Sequence, residues 1–236
     1  MNYDELVNRE AVIQDFLQGK RTLDSIPGSG YPFVTIGRET GAGGHWLAYV
    51  LLTEFLKEPD QELFGGWRVF DKELCELVAR DPRLISLRDR MLHERYRSEA
   101  SEFVESLFTG YSPHYLAYKT TFKVVRALAS MGKVIIVGRA GCCVTRDQAA
   151  GIHLRLVASQ SQRIIWLMRR FKISKEDARK TIIEQDADKR KVADLFFSKN
   201  IDDPLLYDVV WNTGTVNLDE IARAIIQMIK TRAKAR

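Results

Sequence analysis

The residues best placed to do chemistry begin in one stretch, Pro32 to Ala48. Phe33-Val34-Thr35-Ile36 is a short apolar, β-branched run. It passes through Gly37-Arg38-Glu39-Thr40 into Gly41-Ala42-Gly43-Gly44-His45-Trp46. Leu47, Ala48, Val50, Leu51, Leu52 and Phe55 then follow with a loosely helical spacing. The order reads as strand, tight glycine loop, helix. Three glycines in four positions allow positive φ and turn several N–H groups into one hollow. The start of the helix adds its own unbonded N–H groups and the positive end of its dipole. The chemistry that fits is the holding of a phosphate. The candidate ligands are Arg38, Gly41, Ala42, Gly43, Gly44, His45 and Trp46.

The stretch departs from the usual phosphate-loop pattern, G-x-x-x-x-G-K-[ST], whose lysine reaches the outer phosphates and whose hydroxyl meets Mg²⁺. Anchored on Gly41-Ala42-Gly43, the lysine position holds Gly44 and the hydroxyl position holds His45. Arg38 stands where the first glycine belongs. A tight strand-to-helix turn with no ligand is the alternative reading.

A second constellation is basic. Val137-Gly138-Arg139 places an arginine just past the end of an apolar strand, where open α/β sheets bind ligands. Arg163, Arg169 and Arg170 lie on or near one helix, with Arg163 and Arg170 seven apart and so roughly on one face. Asp186, Asp188 and Arg190 close the next helix. The planar guanidinium suits phosphate oxygens, but solvated surface arginines and a structural Arg139–Asp147 pair are the plain alternatives.

These groups need a frame. Residues 3–19 have the pattern of an amphipathic helix, followed by a loop to Tyr31. A strand near 33–37 leads to a helix ending near 57, and 57–66 reads as loop. Trp67 to Phe70 is a short strand, and Asp71 caps a helix over 72–79. Residues 84–108 are helical in pattern, and Ser112-Pro113 opens a helix to about Met131. Strands follow at 133–138, 152–157 and 207–211. The spacing predicts helices at 159–171, from Ser174 to about Lys191, and at 218–233. Strands alternating with helices predict an α/β fold with a parallel sheet of about five strands.

Composition bounds the function. The 236 residues are 45% hydrophobic and 28% charged, enough for one sizeable core. No run is long enough to span a bilayer, and Met1 to Glu5 lacks the order of a signal peptide. Cys75, Cys142 and Cys143 form no disulfide framework, which points to a cytoplasmic location. The scattered His45, His93, His114 and His153 predict no metal site of the protein's own. The net charge of +5 suits an anionic ligand, and the dispersal of the basic residues argues against nucleic acid. Self-association is left open.

Taken together, the motifs resemble the cytidylate kinase-like proteins, relatives of the nucleoside monophosphate kinases within the P-loop fold. The resemblance covers roughly residues 32–230. It rests on Thr35 to Gly44, Val69-Phe70-Asp71-Lys72-Glu73-Leu74, Val134 to Arg139, and Leu154 to Ala158 with Arg163. It continues at Asp202 to Asp208 and Asn212-Thr213-Gly214. It implies a three-layer P-loop NTPase-type fold over 32–236, and leaves the extra N-terminal helix and loop over 1–31 outside it. It also implies a helical acceptor-side region at 71–131 and a lid at 174–199.

ATP and Mg²⁺ are the implied cofactors, and the implied partner is a small phosphorylated acceptor. Arg139 looks like the arginine that holds the acceptor phosphate, although Ala140 replaces the aspartate that follows it in true cytidylate kinases. Arg163, Arg169 and Arg170 look like lid arginines. Asp186 and Arg190 look like the acid and arginine at the lid's far end, and Asp71 like the acid opening the acceptor segment. The acceptor arginine expected in the following turns is missing, since that stretch is Leu74-Cys75-Glu76-Leu77. The expected activity is γ-phosphoryl transfer to a pyrimidine nucleoside monophosphate such as CMP. Backbone cradle and arginines can supply the charge neutralisation such a transfer needs, with Arg38 or His45 as the replacement cation. A nucleotide-binding regulatory module without turnover, and a kinase for another small molecule, remain open.

Overall fold

The computed structural model describes residues 30–80 and 113–234. The helices expected at 3–19 and 84–108 lie outside these residues. Five strands carry the fold: β1 Phe33–Arg38, β2 Arg68–Phe70, β3 Val134–Val137, β4 Gly151–Val157 and β5 Val209–Asn212. All pair in parallel, in the order β2-β3-β1-β4-β5. The helices are α1 Gly44–Phe55, α2 Gln61–Phe64, α3 Lys72–Arg80, α4 Pro113–Met131, α5 Gly141–Val144, α6 Gln160–Phe171, α7 Lys175–Phe197 and α8 Leu218–Lys234.

Strand alternation builds the layers. Val34, Ile36, Ile135 and Val137 point to one face and pack with Leu47 and Leu51 of α1 and Ile221 and Ile225 of α8. Phe33, Phe70 and Ile136 point to the other face, against Leu74 of α3 and Val124 and Leu128 of α4. Central strands covered on both faces explain the nearly unbroken apolar runs of β1 and β3. Parallel strands bring every strand-end loop after β1, β3 and β4 to one rim, so the glycine loop and the Arg139 turn become neighbours.

The sequence-based boundaries shift in four places. Residues 61–64, expected as loop, form α2, capped by the Asp60 carboxylate accepting from the Leu63 N–H at 2.9 Å. Residues 141–144 form the short helix α5. The last strand starts at Val209 rather than 207, because Pro204–Leu206 forms a 3₁₀ turn just before it. Helix α7 runs to Phe197, past the expected end near Lys191. No glycine or proline interrupts 191–197, and Ala193 is buried while Phe197 packs on Phe122 of α4. Its start is as expected: the Asp177 N–H donates to the Ser174 hydroxyl at 3.0 Å.

Under the sheet, His153 is buried on β4, with Nδ1 2.8 Å from the Thr35 hydroxyl of β1. Burial lowers its pKa to about 4, with the Arg146 and Arg232 charges adding to the effect against an opposing pull from Asp208. The folded protein thus holds this ring neutral, whereas the unfolded chain protonates it near 6.5. Stability should fall as pH drops from about 6.5 towards 4, by about 3 kcal/mol at most from this residue. In His153→Gln the denaturant midpoint should lose part of that pH dependence. A slope identical to the parent's would contradict the assignment.

Candidate active site

The loop after β1 has the conformation its glycines suggest. Gly41 and Gly43 have φ of 86° and 88°, and Gly43 occupies the N-cap of α1 without any side-chain cap. The first N–H groups of α1 have no acceptor within their own helix, so the helix presents a positive end at the rim. A Cβ placed on Gly43 would meet the Leu218 side chain of α8 at 3.9 Å, an ordinary packing contact. At Gly41 a Cβ would lie 2.9 Å from the Arg163 carbonyl oxygen, so that glycine is required by packing against α6.

Gly44, in the usual lysine position, has a structural reason. A Cβ there would stand 3.0 Å from Cγ of Arg38, whose stem crosses the first turn of α1. The Arg38 guanidinium continues over Gly138, where a Cβ would fall 2.0 Å from its Nη1. Arg38 therefore takes the space that a side chain at residue 44 would need, and spans from the glycine loop to the end of β3. His45 does not supply a cation. Burial lowers its pKa to about 4, helped by Arg38 and by Arg170 and Lys189 against the pull of Asp71, so the ring is neutral at physiological pH.

The end of β3 is strained. Gly138, Arg139 and Ala140 have φ of 80°, 52° and 50° in succession. Consecutive left-handed residues, two of them not glycine, cost free energy and persist only where the surroundings hold them. Arg139 Nη1 donates to Glu76 of α3 at 3.1 Å, and its buried Nε has no hydrogen-bond partner. The structural alternative for Arg139 named Asp147 as partner; that carboxylate instead pairs with Arg126.

A cavity of about 480 Å³ opens along this rim. Arg38 and His45 mark its edge at the glycine loop; Gly41 to Gly44 themselves do not line it. Asp71, Arg139 and Arg155 line its floor and side, Tyr118 and Phe122 come from α4, and Gln185, Asp188 and Lys189 come from α7. Asp71 is buried and caps α3 through the Leu74 N–H at 2.9 Å. Arg155 and Lys189 were not singled out from sequence as site residues. A charged residue inside the apolar strand Ile152 to Val157 was the available signal for Arg155. The signal for Lys189 is weaker, one lysine among several on α7.

The candidate arginines part company here. Arg163 is buried beneath the loop, donating to Asp186 Oδ2 at 2.6 Å, to the Thr40 carbonyl at 3.2 Å and, through Nε, to the Ala158 carbonyl. Asp186 also accepts the Thr40 N–H at 2.8 Å. Burial would raise its pKa, but hydrogen bonds and charge from Lys189 and the Thr40 bond prevail and hold it at about 2. Arg163 and Asp186 thus fasten α6 and α7 to the loop. Arg170 is exposed, with its charge felt at His45, whereas Arg169 is exposed and Arg190 pairs with Asp202 at 2.8 Å. None of these three lines the cavity, and nor does Trp46, which stacks on Tyr49.

The features fit a polyphosphate: a loop turned by left-handed Gly41 and Gly43, an uncapped helix start, and Arg38 and Lys189 alongside. Among the described residues no group of three His, Cys, Asp or Glu side chains could hold a metal.

The model of the cytidylate kinase-like family matches residues 33–215. The chain belongs to the cytidylate kinase-like family. Among solved structures it is similar to an uncharacterized protein from Eubacterium ventriosum ATCC 27560, with TM-score 0.64 and 21% identity, covering 85% of this chain and 98% of that one. That likeness shows the fold. TT1252 from Thermus thermophilus follows at TM-score 0.41 and 17% identity, over 85% and 97% of the two chains. A shikimate kinase from Acinetobacter baumannii, in complex with shikimate, stands at 0.42 and 13%, over 85% and 94%. No curated protein sequence matches. The family match spans the glycine loop, the Arg139 turn and α7, so the whole rim lies inside the shared region. Among the described residues no helix is long and apolar enough to cross a membrane.

Gly43→Ala should separate binding from folding. The new methyl packs on Leu218 without a clash, but left-handed φ costs about 1–2 kcal/mol and disfavours the loop conformation that aims its N–H groups at the rim. We expect a folded variant with slightly lowered melting temperature and at least ten-fold weaker ATP binding by calorimetry. Gly41→Ala should instead lose much more stability, since its methyl strikes α6. Wild-type ATP affinity in Gly43→Ala would remove the loop from the binding site.

Proposed function

We propose that this kinase-like protein binds ATP with Mg²⁺ at the glycine loop and transfers the γ-phosphoryl group to a small phosphorylated acceptor, most simply a pyrimidine nucleoside monophosphate such as CMP. The observation that supports this is one cavity running from Arg38 and His45, beside the loop, to Asp71 and the strained Arg139. Donor and acceptor phosphates placed at its two ends would face each other along one rim.

In this reading the backbone N–H groups of the loop and of the first turn of α1 hold the donor phosphates. Arg38 neutralises charge between donor and acceptor, and the Arg139 guanidinium, which lines the cavity, orients the acceptor phosphate. An acceptor phosphate oxygen attacks the γ-phosphorus in line, and the bond to the β–γ bridging oxygen breaks towards ADP. Such a transfer needs positioning and charge neutralisation more than covalent help. Asp71 keeps α3 in place, and a hydroxyl of the acceptor is within its reach in this reading. The planar wall offered by Tyr118 and Phe122 suits an aromatic base.

The hairpin of α6 and α7 is the proposed lid, with 174–199 as its moving part. Ile164, Leu167, Ala178 and Ile182 form a small apolar cluster of their own, apart from the two clusters that cover the sheet. A unit with a private core can swing as a body. The location proposed is cytoplasmic. A second reading, nucleotide binding without turnover, is favoured by one observation: Gly44 and His45 leave the loop without its own lysine and hydroxyl.

The deciding experiment is ADP release from ATP with a panel of nucleoside monophosphates and other small phosphorylated and carboxylated acceptors. CMP or UMP should stimulate release. Stimulation only by a non-nucleotide acceptor would replace the substrate, and ATP binding without stimulation by any acceptor would favour the second reading. Arg139→Lys should be nearly as damaging as Arg139→Ala, because an ammonium cannot grip two oxygens. The loss should be about one to two decades in acceptor affinity or turnover, with ATP affinity kept. Lowered melting temperature with intact binding of both ligands would make Arg139 a strut for Glu76 alone.

A further inference from the structure

The loop lacks a lysine of its own, yet an ammonium reaches its flank from another element. Lys189 lies one turn beyond Asp186 on α7. Its Nζ donates to Asp186 Oδ1 at 2.9 Å and to the Thr40 hydroxyl. It is mostly buried, and it lines the cavity beside Arg38 and His45. Asp186, which holds the Thr40 N–H and Arg163, sets the height of α7 against the loop and so the place where Lys189 emerges.

We propose that Lys189 is the loop's substitute lysine, delivered by the lid: when α7 is docked, its ammonium contacts the outer donor phosphate at the boundary between glycine loop and acceptor cavity. The inference rests on the phosphate-loop reading above. Three observations carry it. The usual lysine position holds Gly44, and the Arg38 side chain crosses it 3.0 Å from where a Cβ would stand, so no ammonium comes from the loop itself. Lys189 is held by a single carboxylate that is already satisfied by Arg163 and the Thr40 N–H, so the ammonium can turn to a phosphate without leaving Asp186 bare. It borders the cavity at the loop's own flank, on Thr40.

The consequence is a site complete only with the lid closed. A lysine on the loop meets the donor phosphates whether or not the lid is down. A lysine on α7 arrives with closure, so donor binding and lid docking become one event. The groups around it are Arg38 from β1, Arg163 from α6, Asp186 from its own helix and the neutral His45 from α1. Burial first, and then the Arg38 charge, lower its pKa to about 8 against the opposing pull of Asp186. The ammonium is therefore charged at pH 7 and loses its charge as pH rises through 8. The arginines stay charged throughout, and His45 stays neutral.

The test uses inorganic tripolyphosphate and ATP as probes, titrated by calorimetry into the full chain and into Lys189→Met, Lys189→Arg and Gly43→Ala. Melting temperatures are measured without ligand. Lys189→Met should weaken both probes about ten-fold with little change in melting temperature, and Lys189→Arg should recover most of the loss. If turnover is found, it should drop by about 10²-fold or more in Lys189→Met. From pH 7 to 9 the parent should lose affinity for tripolyphosphate, whereas Lys189→Arg should not. Unchanged affinity in Lys189→Met, with weakened binding in Gly43→Ala, would overturn the role of Lys189 and leave the loop standing. A lowered melting temperature in Lys189→Met with unchanged affinity would likewise overturn it, making the lysine a mere partner of Asp186. Loss of neither probe in Gly43→Ala, or no binding by the parent, would overturn both readings.

Discussion

A single buried carboxylate holds the rim together. Asp186 accepts a backbone N–H from the loop, a guanidinium from α6 and an ammonium from its own helix. Three different elements thereby meet at one pair of oxygens. Charge-assisted bonds of this kind are short and directional, so they set register as well as energy. Removing the Arg163 partner would leave the carboxylate to Lys189 and the Thr40 N–H, and would unfasten α6 from it. With that knot in place, α7 is referred to the glycine loop rather than to the sheet.

What α7 then does follows from its length. Asp186 meets the loop, and about 16 Å further along the helix Phe196 and Phe197 pack on Tyr118 and Phe122 of α4. One helix therefore touches the glycine loop and the α4 side of the cavity at once. Any rotation of α7 would move Lys189, Asp188 and the Phe196 and Phe197 rings together. The small private core shared by α6 and α7 keeps that movement rigid.

The other rim element is held by strain and by contact. The left-handed run Gly138 to Ala140 carries the chain from β3 straight into α5, and the Arg38 guanidinium lies over Gly138. Arg38 and Gly44 make one exchange: the arginine fills the space that the loop's own side chain would have used. The nearby positive charge then comes from the end of β1, before the loop. The site thus takes cations from β1, the β3 turn and α7, rather than from the loop.

Much of this was written in local sequence. The apolar runs at 33–36 and 134–137 read as strands, the second in the manner of one covered on both faces. The glycines at 41 and 43 demanded positive φ, and Ser159, Ser174 and Asp71 marked helix starts through side chains that bond backbone N–H groups two or three residues on. Each of these signals is complete within a few residues, because sterics and capping are local. The resemblance of the motifs, taken in order, reached the family and the fold. The charged side chains were another matter. Their number and helix were legible, but not their partners: Arg163 and Asp186 lie 23 residues apart, and Thr40 and Lys189 lie 149 apart. Whether an arginine grips a ligand or a carboxylate, whether His45 is charged, and which lysine faces the loop depend on burial and on neighbours brought in from distant strands. Electrostatic roles are settled by distance in space and by exclusion of water, and only the closed tertiary structure supplies either.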